Sequence, residues 1–105
     1  KLEVEGSFRL GTNGTAINSI IYQIVQWVGI NLPANSSVTK TFTVTGVNGA
    51  LNGSVIVSPR DPLPDGIVIA YARVSANNTV EIKVLNTTGS LFATGSPFFK
   101  ITVIQ

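Results

Sequence analysis

The sequence predicts an all-β fold, an antiparallel β-sandwich or jelly roll of about seven to eight strands. Three observations support this fold class. Segments of alternating apolar and polar residues recur along the chain, clusters of Gly, Pro, Asn and Ser separate them roughly every eight to twelve residues, and no segment is convincingly helical. The pattern is clearest in residues 51–86, where three strands and two turns can be assigned.

Composition sets the size and the class of the protein. The chain has 105 residues, 44% apolar and 11% charged, which is typical of one folded domain spanning residues 1–105. Seven basic against five acidic residues give a net charge of +2. So small an excess makes no phosphate-binding stripe, and we expect no nucleic acid partner. Because no apolar run reaches membrane length, we expect no membrane insertion.

Cysteine and histidine are both missing from the sequence. Their absence removes disulfides, zinc-thiolate sites, the commonest general base and the usual partner of a nucleophilic serine. We therefore predict a protein that is not an enzyme and that has no catalytic residue, bound metal or cofactor. The sequence begins at Lys1 rather than at a methionine, from which we expect a fragment of a longer chain.

The first half of the chain predicts three strands, one of them ambiguous. Residues 1–10 alternate, with Gly6 at a bend, and residues 38–45 alternate most clearly, with Lys40 as the exception. Residues 15–30 place apolar side chains at helical spacing, yet they are rich in Ile, Val and aromatic residues, which fit a pleated sheet better. A long strand is our prediction there, and an amphipathic helix is the alternative.

The second half predicts four strands separated by strong turn signals. Residues 59–66 form a proline-rich loop, and Asn77 with Asn78 predicts a two-residue hairpin. Both faces of the strand after the loop are apolar near its start, which indicates that it is covered on both sides. The predicted strands are 53–58, 67–76, 79–86 and a last strand from about Phe99 to the C terminus.

The apolar residues of the strands at 15–30 and 67–76 exceed what one pair of sheets covers. An exposed patch of that size is typical of subunit packing, for which cyclic symmetry is the usual solution. We therefore predict a homo-oligomer. Its predicted subunit interface residues are Ile21, Trp27, Ile67, Ile69 and Tyr71. If 15–30 is a helix instead, it covers these residues within a single chain.

Two further groups of residues have alternative interpretations. Asp61 and Asp65 lie four apart in the proline-rich loop, as in a metal or acid/base pair, but a calcium site needs six to eight oxygens and Asp65 also begins a turn dipeptide. The turn is favoured. Tyr22, Trp27 and Tyr71 are candidates for a sugar-stacking platform, although aromatic residues within apolar runs are more often core or subunit contacts.

Several turn and strand motifs occur in a characteristic order. They are Val44–Gly46, Gly53–Pro59, Leu63–Ile67, Ala72–Val80, Leu85–Gly89 and Phe99–Val103. From about Ser7 to Gln105 this order resembles the small β-domain at the ends of bacteriophage tail-fibre, spike and other virion surface proteins. Such domains are similar to the trimeric jelly rolls of the tumour necrosis factor and complement type. Arg60 and Asp61 depart from the pattern, which has small residues there.

Two functions follow as hypotheses. The resemblance implies a non-enzymatic viral structural protein on the virion surface, a trimeric fibre or spike head or a capsid-attached protein. Its partners are other virion proteins and a host surface glycan or protein. The predicted receptor-binding loops contain Asn48, Asn52, Arg60, Asp61 and Asp65. The alternative is a monomeric cell-surface or carbohydrate-binding β-sandwich with an extracellular location. The mass in solution separates the two.

Overall fold

A computed structural model describes residues 5–105 of the chain. The all-β prediction is confirmed, since these residues form six strands, one short 3-10 turn at Gly49–Leu51 and no α-helix. The strands are β1 (Ile20–Gln26), β2 (Ser36–Thr43), β3 (Ser54–Pro59), β4 (Ile67–Ala76), β5 (Thr79–Asn86) and β6 (Phe98–Ile104). Residues 5–105 contain no helix that is long and apolar enough to cross a membrane.

The strands form two antiparallel three-stranded sheets that enclose one apolar core. The order is β1-β6-β3 in the first sheet and β2-β5-β4 in the second. The central strands β5 and β6 alternate most strictly, and their inward residues are almost completely buried. These residues are Val80, Ile82, Val84, Phe99, Ile101 and Val103. Trp27 joins the two sheets, because its ring lies 6.1 Å from Phe42 and 6.4 Å from Phe99.

The ambiguous segment at 15–30 contains a strand, as predicted, and no helix. The strand is shorter than expected and covers only Ile20–Gln26. Ile21, Val25 and Trp27 point to the core, whereas Ile20 and Ile24 point outward, so the apolar residues at helical spacing are divided between the two faces. The β-branched composition of the segment was therefore a better guide than its spacing.

Two β-bulges in β4 change which residues face the core. Ile69 pairs with Val84 and Tyr71 with Lys83, so Ala70 is an extra residue without a partner on β5. An extra residue exchanges the two faces of a strand. Ile67 and Ile69 consequently face inward, and the expectation that both lie on an exposed face with Tyr71 was wrong. A second extra residue, Ser75, lies just before the hairpin turn.

The predicted first strand at 1–10 begins outside the described residues. In its described part, Phe8 makes a single antiparallel bridge with Ile17, with N···O distances of 2.8 and 2.7 Å, and no strand forms before β1. The two-residue hairpin between β4 and β5 is confirmed, since Ala76 pairs with Thr79. Only Asn78 of its two turn residues has a positive φ, 56°.

Asn86 is the one polar residue buried in the core among residues 5–105. Its side-chain amide donates to the carbonyl oxygens of Leu32 at 2.9 Å and Ser90 at 2.8 Å. Its side-chain oxygen accepts from the backbone N–H of Thr88 at 2.9 Å and from the Thr88 hydroxyl at 2.6 Å. Asn86 thus fixes the loop after β5 against the segment before β2, and its polar atoms are satisfied as burial requires.

Candidate functional site

The outer surface of the β1-β6-β3 sheet is apolar. Ile20, Tyr22 and Ile24 of β1 and Ile56 of β3 are 58%, 59%, 49% and 55% exposed. The strand register places Ile104, Thr102 and the exposed Lys100 of β6 beside them, with Lys100 next to Ile24. We call this surface the apolar face. Its four most exposed side chains present an area on the order of 400 Å², comparable to the largest patch on a typical monomer, and such patches often have a function.

The outer surface of the β2-β5-β4 sheet has the opposite chemistry, and we call it the polar face. It contains a Thr row along β2 and a cluster of Tyr71, Arg73, Glu81 and Lys83. Glu81 accepts hydrogen bonds from the Tyr71 hydroxyl at 2.8 Å and from Arg73 Nε at 2.9 Å. These bonds, first that from Tyr71 and then that from Arg73, lower the pKa of Glu81 below its ordinary value because they favour the carboxylate form.

The residues predicted for the subunit interface lie mainly on the core side. Trp27 and Ile67 are only 4% and 5% exposed, and Ile21 and Ile69 are half-buried against the core. Tyr71 is exposed, but it lies on the polar face. In a single chain, therefore, the large exposed apolar residues of β1 are Ile20, Tyr22 and Ile24, which alternate with the residues that face the core. The alternation along β1 is the sequence signal for these exposed residues. It identifies them only when one residue of the strand is known to face the core.

The three aromatic residues proposed as a sugar-stacking platform do not form one surface. Tyr22 lies on the apolar face, Trp27 in the core and Tyr71 on the polar face. Stacking on a sugar requires rings that are exposed side by side, and these three are on three different layers of the fold. The platform interpretation was wrong.

The predicted receptor-binding loops lie at opposite ends of the sandwich. Asn48 and Asn52 flank the 3-10 turn just before β3, near Gln105, whose side-chain amide donates to the Asn48 carbonyl oxygen at 2.7 Å. Arg60, Asp61 and Asp65 follow β3. Six extended residues separate the two loops by roughly 20 Å. The structure therefore does not bring the five predicted residues together at one site.

The loop after β3 forms one wall of a groove of about 340 Å³. Asp61 to Pro64 lie on one side, and Phe92, Pro97 and Phe98 are among the residues on the other. The Arg60 guanidinium stacks over the Phe98 ring, 4.0 Å from its centroid, and its Nε donates to Asp61 at 3.2 Å.

Asp61 and Asp65 each have a local structural role in this arrangement. Asp61 pairs with Arg60. Asp65 and Gly66 occupy the centre of a turn closed by a 3.1 Å bond from the Ile67 N–H to the Pro64 carbonyl oxygen, and Gly66 has the positive φ of 86° that such a turn requires. The turn interpretation is confirmed. Residues 5–105 contain no group of three or more Cys, His, Asp or Glu side chains placed to hold a metal ion.

The fold and its surfaces define an all-β protein of two antiparallel three-stranded sheets. Comparisons with known proteins give no match, whether with family models, with curated proteins or with solved structures.

Proposed function

We propose that this domain is a non-enzymatic structural component of a virion surface, of the tail-fibre or spike type, that works as a homo-oligomer. The observation that carries the proposal is the apolar face. It exposes four large hydrophobic side chains on one side of the molecule, whereas the opposite side exposes two, Val68 and Tyr71, among hydroxyl and charged side chains. A surface so uneven is typical of a protein that packs against another protein.

The shape of the molecule and the order of its motifs also support the proposal. The described residues span 50 × 24 × 24 Å, the proportions of a rod-like subunit. Side-by-side packing of such subunits buries long faces. The order of turn and strand motifs resembles that of virion surface domains, which implies a jelly-roll trimer and attachment to a host or to other virion proteins.

The mass of the purified domain tests the proposal. Analytical ultracentrifugation over a range of concentrations is expected to give a discrete particle of more than one chain, and the predicted trimer corresponds to three. A single chain at millimolar concentration contradicts self-association and leaves the monomeric cell-surface module as the better hypothesis. Immunogold labelling of intact virus particles with antibodies against the domain tests the location.

A further inference from the structure

The geometry points to the free edge of β1 as the contact between copies of this chain, two β1 strands pairing antiparallel about a two-fold axis. The inference rests on the self-association in the proposed function and deepens it, but it replaces the three-chain particle that the resemblance implies with a two-chain particle. It names the contacting strand, its register and its symmetry. Pairing of this kind joins two three-stranded sheets into one continuous six-stranded sheet.

Within residues 5–105, the backbone groups of β1 that have no partner belong to its outward-facing residues. Ser19 and Gln105 exchange both backbone hydrogen bonds, at 3.1 and 3.0 Å, and the Trp27 N–H donates to the Pro97 carbonyl oxygen at 2.9 Å. Along an antiparallel ladder, every second residue of a strand directs its N–H and C=O to the same neighbour. Ser19 and Trp27 direct theirs toward β6, so the residues that direct theirs to the free edge are every second residue starting from Ile20. They are Ile20, Tyr22, Ile24 and Gln26.

Of the four edge strands that the described part of the chain forms, β1 alone lacks the features that prevent edge pairing. β2 carries Lys40 in mid-strand, β4 has two bulges and β3 ends in Pro59. Over Ile20–Gln26 there is no charge, no proline and no bulge, and the pairing with β6 is regular throughout. Natural sheets use charge, proline and bulges to protect exposed edges, so an edge without them is available for pairing.

The central part of β1, Ile21 to Val25, is similar in character when the strand is reversed, whereas Ile20 then lies opposite Gln26. A two-fold axis at Gln23 pairs all seven residues of the strand with the same strand of a second copy. On the outer face Tyr22 then lies opposite Ile24, and on the inner face Ile21 lies opposite Val25. Aromatic and β-branched cross-strand pairs of this kind stabilise antiparallel sheets. A strand that is complementary to itself indicates a second copy of the same chain as the partner.

Electrostatics does not oppose this pairing. Each chain carries a net charge of +2, but none of the charged residues lies in β1. The nearest charge across the sheet is Lys100, which is paired with Ile24 from the central strand and so lies one strand away from the seam. The pairing also makes the two apolar faces continuous.

Two lysine substitutions distinguish a contact through the edge of β1 from a contact through the apolar face. Ile24→Lys places a charge at the seam, whereas Ile56→Lys makes the same change on the same face, two strands away. The two side chains are similarly exposed, at 49% and 55%, so both variants are expected to fold. We expect a wild-type dimer by ultracentrifugation, loss of the dimer in Ile24→Lys with at least a tenfold rise in Kd, and less than a threefold change in Ile56→Lys.

Amide hydrogen exchange of the wild-type protein provides a test that needs no variant. On concentrating the protein from the monomeric to the dimeric range, the amides of Tyr22 and Ile24 are expected to exchange at least tenfold more slowly. Those of Ile21 and Gln23, which already bond to β6, act as the internal control. Unchanged exchange at Tyr22 and Ile24 in an assembled particle overturns edge pairing.

The remaining outcomes distinguish this inference from the proposed function. A trimer that both lysine variants disrupt equally overturns the two-fold edge contact and leaves self-association through the apolar face standing. A single chain at millimolar concentration overturns both. Particles of no fixed size indicate unspecific aggregation of an exposed edge and also overturn the inference.

Discussion

Both outer faces of the sandwich consist of the alternate strand residues that point away from the core, yet the two faces differ in chemistry. On the polar face, the outward positions of β2 are Ser37, Thr39, Thr41 and Thr43, and those of β5 include the half-buried Glu81 and Lys83. On the apolar face, the equivalent positions of β1 are Ile20, Tyr22 and Ile24. The inward residues of both sheets serve one core, so the core does not account for the difference. The comparison indicates that inner positions determine stability, and under the proposed function the outer positions of the first sheet serve association.

The largest expected effect of a substitution is at an inner position. Trp27→Ala removes the side chain that joins Phe42 and Phe99 across the core, and it is expected to lower the free energy of unfolding by about 3–5 kcal/mol. Val28→Ala, at the neighbouring exposed position, is the control, with a change within about 0.5 kcal/mol. Urea denaturation at a concentration where the protein is monomeric measures both. Equal effects contradict the division between inner and outer positions.

Substitution of the buried polar residue Asn86 should also lower the free energy of unfolding, but by less than Trp27→Ala. Asn86→Ala removes the acceptor of the Thr88 N–H and one of the two donors to the Leu32 carbonyl oxygen, which still accepts from the Phe92 N–H. We expect a loss of about 1–3 kcal/mol in the free energy of unfolding. Asn31→Ala, at an exposed position of the same residue type, should change little. The same urea experiment compares them. A neutral Asn86→Ala would show that Asn86 does not hold the loop after β5 in place.

The two faces can be compared directly with one substitution made on each. Tyr22→Ser on the apolar face and Tyr71→Ser on the polar face remove the same exposed side chain. Both are expected to leave the stability of the single chain within about 0.5 kcal/mol, or slightly beyond it for Tyr71, which bonds to Glu81. Only Tyr22→Ser is expected to weaken self-association, as measured by ultracentrifugation. An equal loss of association in both variants would show that the faces do not differ in function.

The smallest expected effect lies in the charged cluster of the polar face. The pKa of Glu81 is lowered in the folded chain, so its contribution to stability is fully present above the ordinary glutamate value of about 4.3 and is lost as the pH falls through the lowered pKa. Glu81→Gln should therefore unfold at a lower urea concentration than the wild type at pH 7. The two midpoints should converge in acid below pH 4. A constant difference at every pH would assign the effect to packing.

Local sequence patterns predicted the all-β class, a strand within 15–30, the hairpin at Asn77 and Asn78 and the turn at Asp65 because each depends on neighbouring residues. The bulge at Ala70 was not predictable, since an extra residue leaves a continuous apolar run unchanged. The role of Asn86 was missed for a different reason. Its acceptor Leu32 is 54 residues away, and no local pattern connects them.

The same limits apply to the candidate site. The sequence shows an excess of apolar residues. Assigning them to a face of a sheet requires knowing which alternate residues of each strand point to the core. In β4 the bulge moved Ile67 and Ile69 to the inside, and in β1 Trp27 proved to be the link between the sheets. The five loop residues were grouped by their turn chemistry, and only the fold shows that β3 separates them.

The extra residue Ala70 has a consequence for how this chain tolerates change in length. Ile69 and Tyr71 already pair with the consecutive residues Val84 and Lys83, so removing that single alanine would make the pairing regular and leave Tyr71 and Arg73 on the outer face. Deletion of Ala72, where the pairing is already regular, would instead turn Arg73 toward the interior and Val74 toward water, and it should be far more damaging. In this segment the number of residues carries structural information that their identity does not.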